Sequence, residues 1–197
     1  MNTRTFSFIM SLMLCTLAFS QDIDDTVIKC RIPEVVGQLN DYISIIADKK
    51  QSLNKKLQYK EKALNLFIGK GYEYEVDSVK KEGVTLEVAS KNRKQTRRLL
   101  IRDYLNNLIN RLDGYTDVKI TATEIASIKL SDLIQVSTNL WVCECDFNQA
   151  FEGMRDGRSV YRDITTKRIK CYVTAEDTED GWEYIIKLGN IYAIDLK

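Results

Sequence analysis

FNQAFEGMRDGRSVYRDITTKRIKCYVTA, residues 147–175, is the stretch on which the reading of this chain turns. Two alternating segments flank Met154-Arg155-Asp156-Gly157-Arg158. Successive side chains of a strand point to opposite faces. In residues 158–174, one face carries Ser159, Tyr161, Asp163, Thr165, Lys167, Ile169, Cys171 and Val173. In residues 140–151, one face carries Trp141, Cys143, Cys145, Phe147, Gln149 and Phe151. These faces hold most of the aromatics and thiols, so both are expected to point inward. The second segment begins polar and ends apolar. That gradient describes a hairpin with one end in a core and the other near a mouth or surface.

Residues directly opposite each other share a face. A turn centred on Gly157 sets Cys143 opposite Cys171, Phe147 opposite Lys167, Gln149 opposite Thr165, and Phe151 opposite Asp163. A bulge would shift this register. Cys143 and Cys171 are thus the candidate disulfide or thiol pair. Gln149, Tyr161, Asp163, Thr165 and Lys167 gather at the polar end with Arg155, and together form the candidate ligand-binding set. Such a ladder is ordinarily a solvated rim. If buried, Asp163 needs a partner; Arg155, Arg158 and Lys167 are the nearby cations.

Outward from the hairpin, the rest of the chain supplies helices and more strands. From Pro33 to Phe67, apolar residues recur at three and four: Val36, Leu39, Ile43, Ile46, Leu53, Leu57, Leu64 and Phe67. Pro33 suits a first helical turn, Asp48 to Ser52 suits a break, and Gly69 and Gly71 suit a stop. Tyr72–Val76 and Val84–Val88 alternate around Lys80-Lys81-Glu82-Gly83, which predicts a strand pair. Leu100, Tyr104, Leu105, Leu108, Ile109 and Leu112 predict a second amphipathic helix, stopped by Gly114. Strands are expected near Val118–Ala122, within Ile125–Val136, and over Trp182–Leu188 after an Asp180-Gly181 turn. Gly189-Asn190 reads as a two-residue hairpin turn before Ile191–Leu196. The late connections are short, which favours antiparallel pairing. The predicted fold class is α+β, with N-terminal helices packed on a curved, mostly antiparallel, cone-like sheet.

Composition bounds the chemistry. The 197 residues contain no histidine. This excludes Ser-His-Asp and Cys-His catalysis, and any histidine-ligated zinc. A mechanism would run on carboxylate, Tyr, Lys or thiol. No cofactor and no metal site is expected; the acidic turn 176–180 lacks the ligand spacing of a calcium loop. Residues 1–20 resemble a signal peptide: Arg4, an apolar run Phe6–Leu14, then Ala18 and Ser20 ahead of cleavage before Gln21. A lipid anchor at Cys15 is disfavoured by the bulky Leu12-Met13-Leu14 before it. Cleavage of 20 from 197 residues leaves 177, one domain spanning 21–197. The expected location is exported, periplasmic or cell-surface. Loss of Arg4 leaves 28 basic and 28 acidic residues, a balance that argues against a nucleic-acid partner. No second run reaches transmembrane length. The basic run Lys91, Arg93, Lys94, Arg97, Arg98 and Arg102 suits either an anionic partner or a solvated loop.

Several motifs carry a resemblance: Arg102-Asp103-Tyr104-Leu105, Gln149-Ala150-Phe151-Glu152-Gly153, Arg155-Asp156-Gly157, Tyr161-Arg162-Asp163-Ile164-Thr165-Thr166-Lys167, Cys171-Tyr172-Val173 and Leu188-Gly189-Asn190-Ile191. With the element order, they make the chain resemble the nuclear transport factor 2-like (cystatin-like) superfamily. More narrowly, it is similar to small secreted, largely uncharacterised Bacteroidetes proteins. That superfamily hosts isomerases, dehydratases and plain binding modules, so the resemblance names no reaction. The leading expectation is an exported, non-catalytic binding or interaction module for a small molecule, peptide or protein. The alternative is an isomerase- or dehydratase-like enzyme using Asp163 and Tyr161 in the cone cavity. Open sheet edges leave room for a homodimer.

Overall fold

The computed structural model describes residues 25–76, 78–110, 114–122, 128–179 and 181–196. The signal segment 1–20, Cys15, Leu112, Ile125 and Asp180 lie outside the described residues. Helix α1 (Asp25–Ala47) buries a continuous stripe of Ile28, Ile32, Val36, Leu39, Ile43 and Ile46. Fully burying such a side chain is worth about 1.5–3 kcal/mol. The stripe extends upstream of Pro33, so the proline sits inside the helix and not in its first turn. Helix α2 (Leu53–Asn65) follows the expected break, capped by Ser52, whose Oγ accepts from the Lys55 amide at 3.3 Å. The stripe does not carry across that break. Leu53 and Leu57 are exposed, while Ala63, Leu64 and Phe67 enter the core. Helix α3 (Ile101–Asn110) buries Ile101, Tyr104, Leu105 and Leu108.

These three helices pack on an eight-stranded, mostly antiparallel sheet, the expected fold class. Its strands are β3 (Thr85–Val88), β4 (Arg97–Leu100), β5 (Asp117–Ala122), β6 (Lys129–Leu130), β7 (Ile134–Ser137), β8 (Leu140–Arg155), β9 (Arg158–Thr178) and β10 (Gly181–Leu196). The order is β4-β3-β10-β9-β8-β5, with β6 and β7 also on β8. Among the described residues, no helix is long and apolar enough to cross a membrane.

Three expectations along the sheet are corrected. Residues Tyr72–Val76 do not pair with Val84–Val88. Instead β1 (Tyr74–Val76) pairs with β2 (Val79–Lys81) in a tight separate hairpin, and Lys80-Lys81 is strand, not turn. Strand β3 pairs antiparallel with β4 and meets β10 in parallel at Leu86 and Ile191. Part of the basic run is therefore strand, and Arg98 pairs with Glu87 across it at 2.8 Å. Finally, Gly189-Asn190 is not a hairpin turn. Strand β10 passes through it, and its register with β9 shifts between Leu188 and Ile191. A Cβ at Gly189 would lie 2.6 Å from the Tyr172 ring, so the glycine permits close approach at a bulge. The Asn190 Oδ1 accepts from the Thr85 amide at 2.9 Å and ties that bulge to β3.

The β8–β9 hairpin has the predicted register, reached through two offsets that cancel. Arg155 pairs with Arg158 around Asp156 (φ 51°) and Gly157 (φ 77°), the left-handed pair of a type I′ turn. That turn is centred half a residue before Gly157. The register then shifts between Gly153↔Tyr161 and Met154↔Ser159, leaving Val160 as the extra residue of a bulge. Beyond the bulge, Phe151 faces Asp163, Gln149 faces Thr165, Phe147 faces Lys167, and Cys143 faces Cys171. A Cβ at Gly153 would lie 2.2 Å from Cε1 of Tyr115. Gly153→Ala is therefore expected to displace that ring and destabilise the fold by about 1–3 kcal/mol, read as a lower urea midpoint. An unchanged midpoint would show that the Tyr115 ring does not pack there.

Candidate functional site

The polar end of the hairpin is buried. Gln149 is 7% exposed, Asp163 5%, Thr165 4% and Lys167 5%. The ordinary solvated rim is thereby excluded. Strand alternation turns Tyr161, Asp163, Thr165 and Lys167 inward; α3 and the segment following β3 then close over them. The result is a cavity of about 340 Å³, within the roughly 300–1,000 Å³ of small-molecule sites. Val88, Ser90 and Arg93 line it from one side, Tyr104 and Leu108 from α3, and Ile120 from β5. Tyr115, Phe151 and Tyr161 form an edge-to-face aromatic wall, with centroids 5.8 and 5.9 Å apart.

Each expected residue has a definite place. The Tyr161 hydroxyl donates to Asp163 Oδ2. It also contacts Ser90 Oγ at 2.8 Å and accepts from the Lys91 amide at 3.2 Å. Burial first, then the bond to the Asp163 carboxylate, raises the Tyr161 hydroxyl above its ordinary value, so it stays a donor. The partner of Asp163 is thus Tyr161, not an arginine. Arg155 lies outside the cavity, where its guanidinium donates to Gly114 O at 2.8 Å beside the turn. Gln149 Nε2 donates to Asn40 Oδ1 at 2.8 Å, and Asn40 Nδ2 donates to Val36 O at 3.0 Å. Gln149 therefore anchors the sheet to α1 as well as lining the cavity.

Lys167 is as buried as Asp163. Its Nζ is 3.5 Å from the Glu87 carbonyl and 5.9 Å from the Tyr104 ring centroid. Burial pushes its ammonium from 10.5 down to about 8, with the Asp163 charge opposing the change. Burial also holds the Tyr104 hydroxyl well above its ordinary value. At the apolar end, Cys143 and Cys171 face each other as free, buried thiols. The hydrogen bond with Cys143, then burial, pushes Cys171 up, and burial pushes Cys145 up to about 12. Cys171 and Cys145 so held are poor nucleophiles, whereas the hydrogen bond with Cys171 holds Cys143 below its ordinary value.

Sequence reasoning missed Tyr104, Ser90 and Asn40, and named Arg93 only as part of the basic run, not at this cavity. Tyr104 carried a signal of its own, an aromatic with a polar tip among the leucines of α3. The others depend on how α1 and the segment following β3 fold over the hairpin.

No protein-family model matches the sequence, and no curated protein matches it. Among solved structures, one similar chain is a protein assigned as a scytalone dehydratase from Novosphingobium aromaticivorans. It is 10% identical with a TM-score of 0.42, over 88% of this chain and 89% of that one. The Kfla4162 protein from Kribbella flavida is 14% identical with a TM-score of 0.38, over 88% and 95%. A type 2 hexachlorocyclohexane dehydrochlorinase, LinA, is 13% identical with a TM-score of 0.37, over 87% and 91%.

The buried Lys167 makes stability depend on pH. Its folded-state value lies below the unfolded one, so between about 8 and 10.5 the unfolded chain holds a proton that the folded chain has released. Stability therefore rises with pH across that window, and the full cost of burying the charge is carried below it. Lys167→Met is expected to stabilise the ligand-free protein by about 1–3 kcal/mol at pH 6.5, with the gain shrinking by pH 10. Urea unfolding at both values measures this; a destabilised variant, or a gain independent of pH, would contradict it.

Proposed function

We propose that this protein is a small-molecule enzyme of the isomerase or dehydratase type, with Asp163 as base and Tyr161 as its proton-relay partner. The observation that carries the reading is that the two groups are hydrogen-bonded inside a ligand-sized cavity and not spread over a surface. The Asp163 oxygen not held by Tyr161 would take a proton from a substrate carbon, and the C–H electron pair becomes the new double bond. In an isomerisation the electron pair of the original double bond takes the proton back at a second carbon. In a dehydration the hydroxyl leaves with its electron pair and takes the Tyr161 proton as water, and Tyr161 recovers a proton from Asp163 once the carboxyl turns its protonated oxygen toward it. Neither route needs histidine, metal or an outside oxidant. Non-catalytic binding, favoured by the export signal, the balanced charge, the lack of histidine and the strand gradient, accounts for the cavity but leaves the Asp163–Tyr161 pair inside it without a task.

The superfamily resemblance, export, and removal of residues 1–20 belong to the same proposal. They rest on the motifs between 102 and 191 and on the apolar run 6–14.

Solvent-deuterium incorporation, followed by proton NMR on a panel of small cyclic ketones and β-hydroxy acids, tests the chemistry. Exchange at a carbon-bound position is expected, with Asp163→Asn slowing it by about 100- to 10,000-fold and Tyr161→Phe less. Saturable binding of the panel with exchange no faster than in Asp163→Asn would leave a binding protein and overturn the enzyme.

A further inference from the structure

Lys167 is a buried cation that makes no ion pair with a described residue, although the Asp163 charge in the same cavity acts on it. No carboxylate oxygen of a described residue comes within 4.0 Å of its Nζ. The carboxylate of Glu87, whose carbonyl is near, is already engaged by Arg98 and by the Ala193 amide. Two further donors share the cavity with Lys167. The hydroxyls of Tyr104 and Thr165 are buried, line the same space and make no hydrogen bond to any described residue. Buried donors without acceptors are costly, and a buried charge without a counter-charge more so. A ligand that supplies the acceptors and the negative charge removes all three deficits together.

We infer that the cavity takes a small monocarboxylic acid with an apolar body, its carboxylate seated on Lys167, Tyr104 and Thr165. The inference rests on the proposed site and names its substrate class. A single charge fits because Asp163, on the same face of β9, repels a second one. An apolar body fits the wall of Phe151, Tyr115 and Leu108. Four residues of strand separate the Cα atoms of Lys167 and Asp163 by about 13 Å. An acid anchored at Lys167 therefore directs its far carbons toward Asp163 and Tyr161.

Calorimetric titration with benzoate and cyclohexanecarboxylate, against benzamide, cyclohexanecarboxamide and phenyl phosphate, tests this on the full chain. The acids are expected to bind the wild type about tenfold or more tightly than their amides and more tightly than phenyl phosphate. Lys167→Met is expected to erase that preference while amide binding remains. Equal binding of acid and amide, a preference that survives Lys167→Met, tighter phenyl phosphate, or no binding of any probe would overturn the inference. Acid preference without deuterium exchange would sink catalysis alone; exchange without acid preference would sink this inference alone.

Discussion

The register between β8 and β9 decides which side chains enter the interior, and the rest of the molecule follows from it. A slip of one residue would turn every inward group of either strand to the opposite face. In the register adopted, Ile169, Cys171 and Val173 join the apolar core at one end. Tyr161, Asp163, Thr165 and Lys167 enter the cavity at the other. The type I′ turn at Asp156-Gly157 and the bulge at Val160 fix that register jointly. Neither alone would give it.

This arrangement puts a stabilising half and a costly half along one strand face. The apolar half, with the α1 stripe above it, supplies the burial that holds the domain together. The polar half costs stability, since Lys167 and two hydroxyls sit inside without full hydrogen bonding. Active sites commonly carry groups whose environment opposes their charge, and removing them commonly stabilises the fold. Gln149 and Asn40 show that a buried polar pair in the same region can hydrogen-bond to each other.

Much of this was legible in the sequence because strand alternation and helical spacing are local. The facing pairs from Cys143↔Cys171 to Phe151↔Asp163, the break before α2, and α3 all follow from patterns a few residues long. Local pattern could not show how deep the polar end sits, because α3 and the segment following β3 cover it from elsewhere in the chain. It also could not show that β3 would join β10 in parallel, a single long-range bridge between Leu86 and Ile191. Gly189-Asn190 misled for a related reason: a glycine that allows close approach of Tyr172 at a bulge looks like one that makes a turn. Arg155 was placed in the site by its nearness in sequence to Asp163, yet the turn carries it outside to Gly114.

Lys167 is a buried ammonium with no carboxylate oxygen of a described residue within 4.0 Å of its Nζ. Nitrogen-detected NMR of protein labelled with 15N-lysine, with Lys167→Met identifying the signal, measures its protonation directly. The structure predicts that the Lys167 Nζ resonance titrates near 8 in the ligand-free protein, apart from the other lysines. Titration together with the exposed lysines at 10.5 or above would show the side chain to be solvated or ion-paired, and would contradict the account.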